Sequence, residues 1–312
     1  MQADGTPQQD RLSWHFESLT GGRSENQDFY GHCETRDGSR LFVVCDGMGG
    51  MRGGSTASRE AVRVILEEVS RSLETDPEIL LTNALQKANA TVFRLGQSKE
   101  ELRGMGTTVV ALLIGKEKAA AAHVGDSRIY QLRGKHKVFR TFDHSVVFEL
   151  VRQGTLTEEQ ARLSDDSNLI SRALGMKPTV EPEINGNLPY LKGDRFMLCT
   201  DGISGAVEER ELLKMAASKK TAEETVKNMT AEIDTIGIKA GGGHDNLTLA
   251  LIDVNTNSAI KPATNKKSKL IIIILALLLL VSIGLNIYTY LCPQKQVKVE
   301  LPKEKEQEKI TQ

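Results

Sequence analysis

Four aspartates stand at the edges of apolar, strand-like runs, each beside Gly, Ser or Asn: Asp46 in FVVCDG, Asp126 in AAHVGDSR, Asp201 in FMLCTDGIS and Asp245 in GGGHDNLTLALIDV. Strand ends are rigid, and residues with little side chain let a ligand come close to the backbone. Aspartate is seldom fully buried without a partner, and few basic residues adjoin these four in sequence. Were they to converge, their mutual repulsion would demand a cation. Several hard oxygen donors and no thiolate suit Mg²⁺ or Mn²⁺. A single Asp-Gly is more often a turn than a ligand. Four, all tied to strands, shift the balance, yet spacing alone leaves turn and ligand about equally placed.

Something must hold such carboxylates in position. Strand-like runs at 41–45, 108–114, 119–124, 129–132, 195–200 and 247–254 alternate with helix-like stretches at 55–73, 78–95, 146–153, 157–163, 208–217 and 222–235. The runs between 108 and 132 follow one another too closely for crossover helices, so they predict antiparallel pairing. That favours an α+β fold, with helices covering sheets, over a doubly wound parallel one. Thr157, followed by Glu158, Glu159 and Gln160, predicts a helix N-cap with an acidic first turn.

The chain has 312 residues, enough for one large domain or two small ones. Its 39% hydrophobic and 26% charged residues are those of a globular protein, and a net charge of -1 predicts no nucleic-acid partner. Cys33, Cys45, Cys199 and Cys292 are scattered without a C-x-x-C, which predicts reduced thiols rather than a zinc site or a disulfide frame. The polar N-terminus lacks the pattern of a signal peptide. Residues 270–291, LIIIILALLLLVSIGLNIYTYL, carry no charge, and a bilayer needs about 20 such residues. Tyr288 and Tyr290 lie near one end, where amphipathic rings favour the interface. Lys261, Lys266, Lys267 and Lys269 precede the span, and Lys295 and Lys298 are the nearest after it. The positive-inside rule then keeps the N-terminal part in the cytoplasm, anchored to the cell membrane by a single pass. The predicted layout is a flexible N-terminus (1–12), a folded domain (13–255), a polar linker (256–269), a transmembrane helix (270–291) and a short charged tail (292–312).

Further motifs fall into an order: Arg23, Asn26 and Asp28 in RSENQD, then DGMGG, GMGTT, VGDSR, SNLISRALG, CTDGIS and GGGHDN. Each is weak alone, and together in this order they are highly specific. From about residue 22 to 254 the chain resembles the metal-dependent PP2C (PPM) serine/threonine phosphatases, particularly the bacterial branch, where DGMGG is usual. The resemblance implies a four-layer α-β-β-α sandwich, two antiparallel sheets flanked by helices. It implies that Asp46 bridges two metal ions and that Gly47 ligates through its carbonyl, glycine being required so that the carbonyl can turn into the site. Asp201 and Asp245 would complete the shell of the first ion, and Asp126 would hold a third, weaker one with Asp201 shared. Arg23 matches the arginine that grips the substrate phosphate, and Asp28 an acid that orients metal-bound water. The ions would be Mn²⁺ or Mg²⁺. The implied reaction is hydrolysis of phosphoserine and phosphothreonine in proteins by direct attack of a metal-bridging hydroxide. Partners would be phosphorylated proteins: a Ser/Thr kinase or its substrates, or an anti-sigma-type regulatory phosphoprotein.

Two residues depart from the family pattern. Gln27 stands where a glutamate that contacts metal through water is usual, and Met48 stands where eukaryotic members have a proton-donating histidine. Residues 144–175 resemble the flap beside the active site, in which Leu150, Val151, Leu156 and Ile170 are expected to pack. Two rival readings remain. One is an HD-type phosphohydrolase, suggested by the neighbours His244 and Asp245. The other is a membrane-anchored, catalytically inactive PP2C-fold binding module, supported by Gln27 alone.

Overall fold

The computed structural model of the chain describes residues 11–164, 166, 169–256 and Val281, with the backbone alone for residues 50–52. The predicted span at 270–291 lies, apart from Val281, outside the described residues, as do its flanking lysines. Among the described residues no helix is long and apolar enough to cross a membrane. The chain divides into two units, Met1–Lys261 and Pro262–Gln312, and both sheets belong to the first.

One sheet has five strands, in the order β1 (Leu12–Leu19), β11 (Leu247–Val254), β10 (Asp194–Cys199), β7 (Arg128–Arg133) and β8 (His136–Arg140). The other runs β2 (Asp28–Glu34), β3 (Arg40–Met48), β5 (Val109–Ile114), β6 (Ala119–Val124) and β9 (Glu183–Leu188), with the two-residue β4 (Gly106–Thr107) added to the end of β3. Every pairing is antiparallel. The predicted pairing within 108–132 holds for β5 with β6, whereas β7 crosses to the other sheet and pairs with β10 and β8.

Alternation of side chains makes four layers, because a strand buried on both faces has two sets of neighbours. Leu41, Val43 and Cys45 of β3 face α1 (Gly50–Arg71) and α2 (Pro77–Ser98), in a core with Ile65, Leu81 and Leu85. Phe42 and Val44 face the middle of the sandwich and meet Phe196 and Leu198 of β10 and Ala250 and Ile252 of β11. The other face of β10 and β11, with Met197, Cys199, Leu249 and Leu251, packs on α6 (Glu209–Ala216) and α7 (Ala222–Lys239) through Leu212, Val226, Met229 and Ile233. The short α5 (Asp201–Ser204) joins β10 to α6. The expected α-β-β-α sandwich is therefore present.

Local signals start the helices. The Asp76 carboxylate accepts from the N–H groups of Glu78 and Ile79, with Pro77 in the first turn of α2. Thr221 and Glu224 form a capping box at α7. The predicted cap at Thr157 is also a capping box, with Gln160, at the start of α4 (Glu158–Arg162). Between β8 and β9 lie α3 (Val146–Arg152) and α4, packed through Val147, Phe148, Val151 and Ala161.

Candidate active site

The ends of β3, β6 and β10 and the start of β11 meet at one end of the sandwich, around a cavity of about 490 Å³. Arg23, Asp46, Gly47, Asp126, Asp201 and Asp245 all line it. Asp28 does not. It sits on β2 directly opposite Asp46 in the strand register, 5% exposed, and its Oδ2 accepts a 3.0 Å hydrogen bond from the Thr200 hydroxyl. Gln27 and Met48 line the cavity, and so does Ile170, for which the sequence predicts packing alone.

Carboxylates dominate the electrostatics. Burial pushes the Asp28 carboxyl up to about 7, helped by the charges of Asp201 and Asp245. Burial raises Asp46 and Asp126 well above the ordinary range, and Asp201 adds to both through its charge. Asp201 is itself raised by burial and by Asp245. Arg128, a buried cation two residues after Asp126, is taken by Asp143 through two bonds of 2.8 and 2.6 Å. Arg23 bonds Asp245 at 2.9 Å, but both side chains are about half exposed, 55% and 42%. Exposed pairs of this kind contribute roughly 0–1 kcal/mol.

Two buried carboxylate oxygens, Asp28 Oδ1 and Asp201 Oδ1, have no hydrogen-bond partner. A buried acceptor without a partner is costly. Hard oxygen donors, mutually raised pKa values and orphaned oxygens together fit divalent cations of the Mg²⁺ or Mn²⁺ type.

Several residues that the sequence did not single out hold this arrangement in place. The Thr108 hydroxyl accepts from the Asp46 N–H at 3.0 Å and lies 2.7 Å from the Ser127 hydroxyl. The Thr107 hydroxyl donates to the Asp46 carbonyl at 2.8 Å. Asn246 braces the loop that carries Arg23. Its side chain accepts from the Gln27 N–H at 2.8 Å and donates to the carbonyls of Thr20 and Glu25 at 2.8 and 3.0 Å. The only sequence signals were the paired threonines of GMGTT and the Asn that follows Asp245. His244 turns to Asp234 of α7 at 2.8 Å, which is not the ligand role an HD-type centre would give it.

A family model described as protein phosphatase 2C matches residues 18–237. The serine/threonine phosphatase Stp of Listeria innocua is 35% identical over 237 residues, covering 75% of this chain and 92% of its own. The protein phosphatase PhpP of Streptococcus pneumoniae is 33% identical over 240 residues, covering 76% and 95%. Among solved structures, serine/threonine phosphatase Stp1 from Staphylococcus aureus superposes with a TM-score of 0.71 at 28% identity, covering 78% of this chain and 95% of its own. The catalytic domain of the serine/threonine protein phosphatase PstP, solved in complex with two manganese ions, gives 0.66 at 30% identity, covering 78% and 98%.

Proposed function

The chain belongs to the protein phosphatase 2C family, and on that premise we propose how its cavity carries out the reaction. It is a metal-dependent serine/threonine protein phosphatase. The observation that carries the site assignment is the convergence of Asp46, Asp126, Asp201 and Asp245 on one cavity with too few cations to neutralise them. Asp46, the Gly47 carbonyl, Asp201 and Asp245 would hold two core ions, and Asp126 with Asp201 a third, weaker one. The ions would be Mn²⁺ or Mg²⁺, and the PstP complex supports manganese as one ion such a site accepts. When bound, divalent ions lower the pKa of a water toward neutrality and neutralise charge on phosphoryl oxygens.

The chain's own groups do the rest. Arg23 is exposed at the cavity mouth, where its planar fork can take two phosphate oxygens. Asp28, opposite Asp46 on β2 and bonded by Thr200, would orient a water from behind Asp46. Met48 cannot donate a proton, so the leaving alkoxide of serine or threonine must take one from another group or from water. An inactive binding module would have no use for four converged carboxylates.

Substrates are phosphoserine and phosphothreonine proteins. A membrane Ser/Thr kinase or its substrates are the favoured partners, because the uncharged segment at 270–291 would anchor the phosphatase beside them, with the catalytic domain on the cytoplasmic side. The test is hydrolysis of a phosphothreonine peptide by the full chain, titrated with Mn²⁺ and Mg²⁺ after chelation, with Asp46→Asn beside it. Metal-dependent turnover that is lost in the folded variant supports the assignment. A folded wild type that turns over with neither ion would return the weight to the binding module.

A further inference from the structure

Asp126 sits in the turn between β6 and β7, and the residue before it is held from outside that turn. Gly125 has φ +105°, and a Cβ there would come within 2.7 Å of the Thr108 side chain, so glycine is needed. Its N–H donates to His144 Nδ1 at 3.2 Å, and the His144 N–H donates to the Gly125 carbonyl at 2.9 Å. His144 is 1% exposed. Its carbonyl accepts from the Ser171 N–H at 2.7 Å. The next two residues continue the connection: Ser145 bridges Ile170, and the Val146 N–H donates to the Leu169 carbonyl at 3.0 Å. One buried histidine thus joins the Asp126 turn to both the start of α3 and the 169–171 stretch, whose Ile170 lines the cavity.

The ring chemistry fixes its role. Because Nδ1 accepts a hydrogen bond, the neutral imidazole carries its proton on Nε2. Burial and the stacked His123 ring, 4.5 Å away, push His144 down to about 4, so it is neutral at physiological pH. Nε2 lies 3.5 Å from Glu183, whose carboxylate Arg152 of α3 holds at 3.0 Å. His123, His144 and Glu183 bring ligand-type atoms within 4.8 Å of one another. A ligating imidazole, however, normally donates the proton of its other nitrogen. His144 Nδ1 faces the Gly125 N–H, which leaves the proton on Nε2, and a protonated nitrogen cannot ligate an ion.

We propose that His144 is a positioning residue for Asp126: it sets the turn that presents Asp126 to the cavity and couples that turn to the α3–α4 segment. The proposal rests on the reading of Asp126 as a ligand of the weakest divalent ion. Losing the Nδ1 acceptor should loosen the turn and weaken that ion while the two core ions stay bound.

The test compares the full chain with His144→Phe, His144→Asn and Asp126→Asn. Phenylalanine keeps a ring against His123 without an acceptor, whereas the asparagine amide oxygen can take the place of Nδ1. Mn²⁺ binding is counted by electron paramagnetic resonance of the free ion, and hydrogen exchange is followed at Gly125 and 169–171 in metal-free protein. Expected is a weakest Mn²⁺ site about 10-fold or more weaker in His144→Phe, with faster exchange at Gly125 and 169–171. His144→Asn should restore both, and Asp126→Asn should lose that site. If His144→Phe does not fold, His144→Gln, with its amide at the Nε2 position, takes its place. Wild-type Mn²⁺ affinity in His144→Phe beside a loss in Asp126→Asn would overturn the positioning role. So would failure of His144→Asn to rescue. Unchanged Mn²⁺ binding in Asp126→Asn would instead overturn the reading of Asp126, and the proposal with it.

Discussion

Gly47 follows the central aspartate, and the structure gives its small size a cause in packing. Its φ is not in the left-handed region. A Cβ there would instead come 2.1 Å from the Gly54 carbonyl oxygen of α1 and 2.7 Å from that of Gln27. Both obstacles are backbone and cannot rotate away. Gly47→Ala should therefore push the end of β3 off α1 and displace Asp46. A displacement on the order of 1 Å at a reacting centre costs about 100-fold in rate. The expected outcome is a loss of that order in peptide hydrolysis with far-UV circular dichroism unchanged, and near-wild-type turnover would show that the close approach can relax. The aspartates themselves were legible because each is an acidic residue ending an apolar run beside small neighbours. Thr108 and Asn246 were not. Thr108 acts on Asp46, 62 residues away, and Asn246 on Gln27, 219 residues away, through hydroxyl and amide bonds that leave no periodic trace.

Helices with an apolar stripe could be read directly, capped or not, and the strands at the margins of the sheets could not. All six predicted helices are present, as α1, α2, α3, α4, α6 and α7. The strands missed were β1, β2, β8, β9 and the two-residue β4. β1, β2, β8 and β9 stand at sheet edges, where half-exposed positions take Ser, His, Glu, Lys and Asn and blur the alternation. The 18-residue α7 tests the cap argument. Its Thr221 hydroxyl accepts from the Glu224 N–H at 3.2 Å, and the Glu224 carboxylate reaches back to Thr221. Thr221→Ala should cost about 1 kcal/mol, which lowers the melting temperature by roughly 2–4 °C in a domain of this size. The cap is not among the residues lining the cavity, so kcat and the metal requirement should be unchanged. A shift in Mn²⁺ dependence would mean that α7 reaches the active site through β11.

At the scale of the whole molecule the same carboxylates make stability depend jointly on pH and metal. Without ions, burial lifts Asp28 from 3.8 to about 7 and raises Asp46, Asp126 and Asp201 in the same direction. An unfolded chain releases these protons near pH 4, while the folded chain keeps them until higher pH. Between about pH 4 and pH 7 the folded state therefore binds more protons, and stability falls as pH rises through this window. The stabilising effect of the protonated carboxyls is complete below the unfolded pKa and is lost above the folded one. Divalent ions reverse the slope, because they bind the ionised carboxylates and displace the protons. The chelated protein should accordingly melt at a higher temperature near pH 5 than near pH 8, and the increment from added Mn²⁺ should be larger near pH 8. Differential scanning fluorimetry of wild type and Asp201→Asn measures both. The variant removes one charge from the cluster, so its chelated form should lose less stability on going to alkaline pH and gain less from Mn²⁺. A chelated wild type whose stability rises across this window would mean that the cluster is neutralised from within the protein, which would remove the electrostatic reason for placing metal ions there.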